Sequence, residues 1–382
     1  MDGRLGIIMH GVTGRMGYNQ HLVRSVLAIR DEGGLVLRNG DRLQIDPIIV
    51  GRDRDKLERM ARRHGIERWS TDLDAVLADP RDELFFDAGT TQMRAGLLSR
   101  AIDAGKHVYC EKPVSDDLAG TVALARKARA AGIRHGVVQD KLFLPGLLKL
   151  AMLRDSGFFG RILSVRGEFG YWVFEGDWQP AQRPSWNYRK VDGGGIILDM
   201  LCHWRYVLDN LFGEVEAVSC LGATHIPERV DEKGAAYRAD ADDAAYATFQ
   251  LAGGVVAQIN SSWDVRVRRD DLVTFQVDGT HGSAVAGLHK CFTQHRVNTP
   301  KPVWNPDQPQ AIDFFQNWEE VPDNHVYLNG FRAQWEMFLR HVAEGGPWPY
   351  GLEQGAKGVQ LATLGLQSWA ERRWLDVPAL EF

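Results

Sequence analysis

Apolar residues follow two rhythms along this chain, and the rhythm changes near residue 150. Before that point, short apolar runs alternate with amphipathic stretches. Residues 5–9, Leu-Gly-Ile-Ile-Met, are the right length for a buried strand, and residues 18–30 place Leu22, Val26 and Ile29 on one helical face. Further strands are predicted at 45–50, 84–88, 107–110 and 135–139, with helices at 55–64, 73–78, 94–104 and 117–131. Gly65, Gly105 and Gly132 follow three of these helices, where a left-handed closing residue belongs. Residues 31–44, rich in Gly and charge around Asn39-Gly40, predict a surface turn or an inserted hairpin. Strands alternating with helices of this length predict right-handed βαβ units, hence a parallel sheet with helices on both faces.

After residue 150 alternating apolar stretches follow one another at 162–172, 215–223, 243–251, 255–263 and 273–277. Without helices between most of them, they predict an antiparallel sheet. One helix, 195–211, interrupts the series, and two more, 330–343 and 353–370, close the chain. The expected fold class is α/β followed by α+β: a dinucleotide-binding domain over 1–141, then a domain over 142–382 with an open, mostly antiparallel sheet. The length of 382 residues suits two domains of roughly 100–200 residues each. With Lys plus Arg at 45 and Asp plus Glu at 50, no basic excess exists for nucleic acid. No apolar run approaches the roughly 18 residues of a membrane span, and the start of the chain lacks the pattern of a secretory leader. Cys110, Cys202, Cys220 and Cys291 show no paired spacing, which fits reduced thiols in a cytoplasmic protein. Trp69 is the only tryptophan in the first 150 residues; the other eleven follow.

The strand at 5–9 runs into Gly11-Val12-Thr13-Gly14-Arg15-Met16-Gly17 and then a helix. Glycines in this setting allow a tight turn and let a pyrophosphate approach the main chain at a helix N-terminus. The position, after the first strand of a βαβ unit, is what makes the pattern a Rossmann cofactor turn. The second strand ends in Gly51-Arg52-Asp53. A carboxylate there would hold a ribose 2′-hydroxyl, and an arginine would accommodate a 2′-phosphate. Arg52 at that position gives NAD(P) with a slight lean to NADP, while Asp53, one residue late, keeps a ribose contact open.

A third feature is Gly105-Lys106-His107-Val108-Tyr109-Cys110-Glu111-Lys112-Pro113, a strand ending in Glu-Lys-Pro. Pro113 restricts Lys112 to an extended conformation, and a positioned ammonium stabilises developing charge on oxygen. A fourth is Gly193-Gly194-Gly195 followed by Asp199 and His203, after Trp186 and Arg189. Asp199 and His203, four apart on a helix, share a face, and a histidine suits removal of a hydroxyl proton. Neither residue has a neighbouring His or Cys pair at metal-ligand spacing, so no metal is expected.

Taken in order, these blocks resemble the glucose-fructose oxidoreductase / inositol dehydrogenase (Gfo/Idh/MocA) family over nearly the whole chain. The resemblance implies oxidation or reduction of a sugar, glycoside or inositol-type polyol with NAD(P). By motif match it implies that Lys112 orients the substrate on the nicotinamide side, that Asp199 and His203 flank the carbinol, and that Glu111 lies beside the nicotinamide ribose. The expected cofactor-binding residues are Gly11, Thr13, Gly14, Arg15, Met16, Gly17, Arg52, Asp53, Thr90, Glu111 and Lys112. The glycine turn alone is also similar to that of dihydrodipicolinate reductase, which lacks the other two blocks. Within the family, an NAD-dependent glycosidase that oxidises its substrate only transiently is a second reading. A non-catalytic cofactor-binding sensor is a third, weakened by the presence of Lys112, Asp199 and His203 together.

Aromatic residues crowd into 171–188. Trp172 or Trp186 could stack on a sugar ring, with Arg183, Asn187 and Arg189 taking hydroxyls, although aromatics serve more often as core or interface. The partner expected is therefore a small carbohydrate or polyol, with no nucleic acid and no membrane. A homodimer or homotetramer is expected because an open antiparallel sheet leaves one face to cover.

Overall fold

The computed structural model describes residues 3–382. The chain forms two compact units. The first comprises the chain up to Phe143 with Leu328–Gln360 and Ala379–Phe382; the second comprises Leu144–Tyr327 and Leu361–Pro378.

The chain begins with β1 (Gly3–His10) and a π-helix over Gly17–Leu27 that continues into α1 (Ala28–Asp31). It continues through β2 (Leu35–Val36), β3 (Arg42–Val50), α2 (Arg54–His64), β4 (Arg68–Ser70), α3 (Leu73–Ala78) and β5 (Asp82–Asp87). Next come α4 (Thr91–Asp103), β6 (His107–Cys110), α5 (Leu118–Ala130) and β7 (His135–Val137). The strands form one sheet in the order β2-β3-β1-β5-β6-β7, with β4 beside β3. Every pairing is parallel except that of β2 with β3. That exception is the 31–44 insertion: a hairpin whose tip has Leu37 N–H donating to the Asp41 carbonyl at 2.9 Å and Gly40 at φ 86°. Along β1, Ile7 and Met9 enter one core and Ile8 the other. This two-sided burial explains why the strand reads as an apolar run rather than an alternation. At the first helix ends, the Asp53 carboxylate accepts from Lys56 N–H at 3.0 Å and Gly65 closes α2 at φ 58°.

The second unit opens with α6 (Pro145–Asp155), β8 (Ile162–Gly170) and α7 (Ile196–Leu211). The strands that follow are β9 (Val215–Ala223), β10 (Glu228–Val230), β11 (Ala236–Arg238), β12 (Ala244–Leu251), β13 (Val255–Ser262) and β14 (Val273–Gly279). Then come β15 (Gly282–Ala286), β16 (Cys291–His295) and β17 (Glu319–Glu320). Two long helices, α8 (Gly330–Glu344) and α9 (Leu352–Glu371), precede β18 (Leu375–Asp376). The nine-stranded sheet runs β17-β16-β15-β14-β8-β13-β12-β9-β18. Only β8 with β13 is parallel, so the sheet is mostly antiparallel as the alternating pattern predicts. Strands β15 and β16 lie outside that pattern: 282–295 has few large apolar residues, and it takes strand form by pairing, β15 with β14 and β16 with β15. One face of the sheet is buried. On the other, Leu221, Tyr246 and Val256 are 47%, 40% and 51% exposed. Among the described residues no helix is long and apolar enough to cross a membrane, and all four cysteines are buried with free thiols.

Helix α8 contributes Trp335, Phe338 and Leu339 to the first unit's core, on the same side of the parallel sheet as the π-helix. Trp348 packs against that core as well. Two of the eleven late tryptophans thus serve the cofactor-type unit.

Candidate active site

The glycine turn lies where β1 meets β5, with His10 paired in register with Asp87. This is the point at which strand order reverses, and ligands of such sheets sit beyond the strand ends there. Gly11 has φ 74°, and a Cβ on it would stand 2.2 Å from Gly89 N. A Cβ on Gly17 would stand 2.5 Å from the Gly11 carbonyl oxygen. Gly14, by contrast, would meet only the Gly11 oxygen, at 3.5 Å. Two glycines therefore close the turn, and the third keeps its outer side bare main chain next to a helix start. That cradle fits a pyrophosphate. Thr13 is tied down by Lys56, whose ammonium donates to its carbonyl at 2.9 Å. Arg15 and Met16 are exposed in the first turn of the following helix. Arg52 stands exposed after β3, whereas Asp53 next to it spends its carboxylate capping α2. Thr90, also exposed, precedes α4 without capping it.

The loop after β5 and the Glu-Lys-Pro turn after β6 are bound together by one buried arginine. Arg94 donates through Nε to Asp87 at 2.9 Å and through Nη2 to the Gly89 carbonyl at 2.7 Å; Nη1 donates to the Pro113 carbonyl. His10 Nδ1 lies 2.6 Å from the other Asp87 oxygen. Burial opposes the charge on Asp87, but the His10 hydrogen bond and the Arg94 charge prevail and hold its carboxyl below the usual range. Glu111 N–H donates to the Asp87 carbonyl at 2.9 Å, and the Lys112-Pro113 peptide is cis. Lys112 itself is half-buried.

In the second unit, α7 carries Asp199 in its first turn and His203 one turn later. The three glycines before it each answer a separate demand. Gly193 and Gly195 have φ 74° and 119°, and a Cβ on Gly194 would stand 2.5 Å from the carbonyl oxygens of Trp186 and Asn187. The Asp242 carboxylate meets the helix start, accepting from Ile197 N–H at 2.6 Å, and burial pushes its carboxyl up to about 6. Arg183 Nη1 lies 3.5 Å from Asp199 and 3.4 Å from the Asn187 side-chain oxygen, with its guanidinium 4.3 Å above the Trp263 ring. Burial works against the Arg183 charge, yet the Asp199 carboxylate more than offsets it and holds the guanidinium above its ordinary value. His203 is buried, with Nδ1 2.6 Å from the Tyr206 hydroxyl. A carboxylate beside a guanidinium and an imidazole oriented through one ring nitrogen, on one helix face, suit hydroxyl binding and proton removal.

The aromatic segment is divided. Trp186 is half exposed, in a short 3₁₀ turn (Ser185–Tyr188). The Trp172 ring has the Arg266 guanidinium 4.0 Å away. Asn187 is buried, its amide donating to the Pro184 carbonyl at 2.9 Å, and Arg189 lies over Tyr237 at 4.8 Å. Lys112 belongs to the first unit; Asp199, His203 and these side chains belong to the second.

Sequence reasoning passed over His21, Asp87, Arg94 and Asp242. Only Asp87 carries a local signal, a carboxylate at a strand end before Gly-Thr-Thr. The others act through contacts that no spacing reveals.

A parallel sheet with a bare glycine turn at its switch point, joined in sequence to an open antiparallel sheet, is the architecture of a Rossmann-type dinucleotide-binding protein. Residues 11–138 match the oxidoreductase family with an NAD-binding Rossmann fold, and residues 147–285 match the GFO/IDH/MocA C-terminal domain. The chain is 58% identical over 378 residues to a D-xylose dehydrogenase of Paenarthrobacter nicotinovorans, covering 98% of this chain and 97% of that one. It is 24% identical over 371 residues to a levoglucosan dehydrogenase of Pseudarthrobacter phenanthrenivorans, covering 88% and 91%. The apo structure of a levoglucosan dehydrogenase shares the fold, with a TM-score of 0.83 at 22% identity over 99% of this chain and 100% of that one. This protein belongs to the Gfo/Idh/MocA oxidoreductase family.

Proposed function

We propose that the protein oxidises a ring CH–OH of an aldopentose such as D-xylose, passing the hydride to NAD(P). The observation that carries this reading is the 58% identity, over nearly the full length of both chains, to a D-xylose dehydrogenase. Residues 1–141 hold the cofactor: the glycine turn takes the pyrophosphate, with Thr90 and Glu111 on the nicotinamide side. When bound, the nicotinamide supplies the hydride acceptor. Residues 142–382 supply the sugar contacts. His203 takes the hydroxyl proton, Asp199 accepts a hydrogen bond from the sugar, and Lys112 holds the reacting oxygen as its charge changes. Trp172 or Trp186 lies against the ring, with Asn187 and Arg189 in the same segment.

The test is a panel of aldopentoses, other sugars, inositols and glycosides with each cofactor, following reduced nicotinamide by absorbance. Net reduction with a free pentose is the expected result. Glycoside cleavage without net reduction would replace this reading with the glycosidase, and tight cofactor binding with no turnover on any compound would favour a sensor.

Exposed Arg52 is the basis for a lean to NADP. Arg52→Ala should weaken NADPH by roughly tenfold, the size of a charge-assisted hydrogen bond, and leave NADH nearly unchanged. Equal effects on the two, by fluorescence titration, remove the 2′-phosphate argument. The outer sheet face bearing Leu221, Tyr246 and Val256 supports assembly as a homodimer or homotetramer, and the buried free thiols support a cytoplasmic setting. A monomeric mass in light scattering would sink the assembly.

A further inference from the structure

We infer that Trp335 and His21 are positioning residues for the Glu111-Lys112 turn, acting through a buried hydrogen-bond chain from an indole on α8, through an imidazole on the π-helix, to the carboxylate that precedes Lys112. The chain lies within the first unit. Trp335 Nε1 donates to His21 Nδ1 at 3.0 Å. An indole N–H can only donate, so Nδ1 carries the lone pair and the ring hydrogen is on Nε2. Nε2 faces Glu111 Oε1 at 2.8 Å, and Glu111 Oε2 accepts the main-chain N–H of Lys112 at 3.1 Å. Both His21 and Trp335 are 0% exposed.

The surroundings fix the orientation of both side chains. Around His21 stand the rings of Phe86, Phe331 and Trp335, with ring centroids 4.5, 5.0 and 6.3 Å away, and Glu111 is the carboxylate it faces. Protonation at Nδ1 would deprive the indole of its acceptor. Around Glu111 stand Lys112 on its own turn, Arg94 from α4, and Tyr109 and Cys110 from β6, with Asp140 beyond Tyr109. Burial opposes the carboxylate charge, but the His21 hydrogen bond and the Lys112 and Arg94 charges hold it below the usual range. Glu111 is thereby an ionised acceptor in one orientation, and it fixes the main chain from which the Lys112 side chain springs. The functional part of this inference rests on the proposed role of Lys112; the tautomer does not.

The test combines nitrogen-15 NMR of the histidine rings in the full-length chain without cofactor with steady-state kinetics. At about pH 8 the His21 ring should show its hydrogen on Nε2 and a lone pair on Nδ1. In Trp335→Phe, Nδ1 loses its donor, so the Nδ1 resonance should move and kcat should fall as it does when His21 is replaced. His21→Leu should lower kcat by roughly tenfold to a hundredfold, the scale of a displaced reacting group. His21→Gln, whose amide can still donate to Glu111, should recover most of it. A hydrogen on Nδ1 in the unaltered chain overturns the relay. Wild-type kcat in His21→Leu, or no recovery in His21→Gln, overturns the positioning role. If His21→Leu does not fold, Trp335→Phe and His21→Gln decide it. Failure to oxidise any sugar would show in kinetics alone and leave the NMR result standing.

Discussion

Lys112→Ala is expected to lower kcat by about 10²–10³-fold while NAD(P)H still binds. In the proposed mechanism, that is the cost of removing one preorganised group aimed at developing charge on oxygen. The ammonium is placed with care: Arg94 joins the loop after β5 to the Pro113 carbonyl, and Glu111 anchors the Lys112 N–H at 3.1 Å. Nothing in those contacts depends on the Lys112 side chain, so the cofactor cradle should survive its loss. His203→Ala should cost about 10²–10⁴-fold, the range for a general base. Its ring is buried and braced by Tyr206 at 2.6 Å, which orients the imidazole whether or not sugar is present. Steady-state rates, with binding of reduced cofactor followed by protein fluorescence, check both variants. Near-normal turnover in the two together would sink the mechanism.

Arg229→Met is expected to destabilise the second unit by about 3–5 kcal/mol, the cost of leaving a buried charge without its partner. Arg229 Nη2 lies 3.2 Å from both Asp243 and Asp264, and all three side chains are buried. The guanidinium also lies 3.8 Å over Tyr188, so its loss reaches the segment that carries Trp186 and Asn187. Burial, and then the Asp243 charge, push the Asp264 carboxyl up to about 8. Asp264 therefore keeps a proton in the folded chain that the unfolded chain releases at its ordinary value of 3.8. Stability falls as pH rises between those values, because there the folded state binds the extra proton. Asp264→Asn should abolish that decline, and Arg229→Met should show its deficit most strongly at the alkaline end. Denaturant melts across the pH range measure both. A deficit under about 1 kcal/mol at every pH, the ordinary size of a point substitution, would rule out the network as described.

Much of the architecture is written in local pattern. Apolar runs alternating with helical faces predict the parallel sheet, and alternation predicts the antiparallel one. Each pattern needs only the geometry of a pleat or a helical turn. The glycines were legible for the same reason: Gly11, Gly193 and Gly195 take positive φ, and Gly17 and Gly194 have no space for a Cβ. The order of the glycine turn, Glu111-Lys112-Pro113, and Asp199 with His203 was enough to point to the family.

Tertiary structure alone decided what surrounds those residues. His21 and Trp335 are 314 positions apart, and nothing near either one announces a shared hydrogen bond. Arg94 reads as an ordinary helical surface charge until the fold buries it against Asp87. Strands β15 and β16 take their form from the strands they pair with, β14 and β15, rather than from their own composition. The late tryptophans, lopsided in the sequence, are divided by packing: Trp335 and Trp348 return to the first unit, while Trp204 and Trp263 are buried in the second. Periodicity reports which way a side chain faces along its own element. Which distant side chain meets it there is set by how the elements pack, and that partner determines charge state, tautomer and orientation.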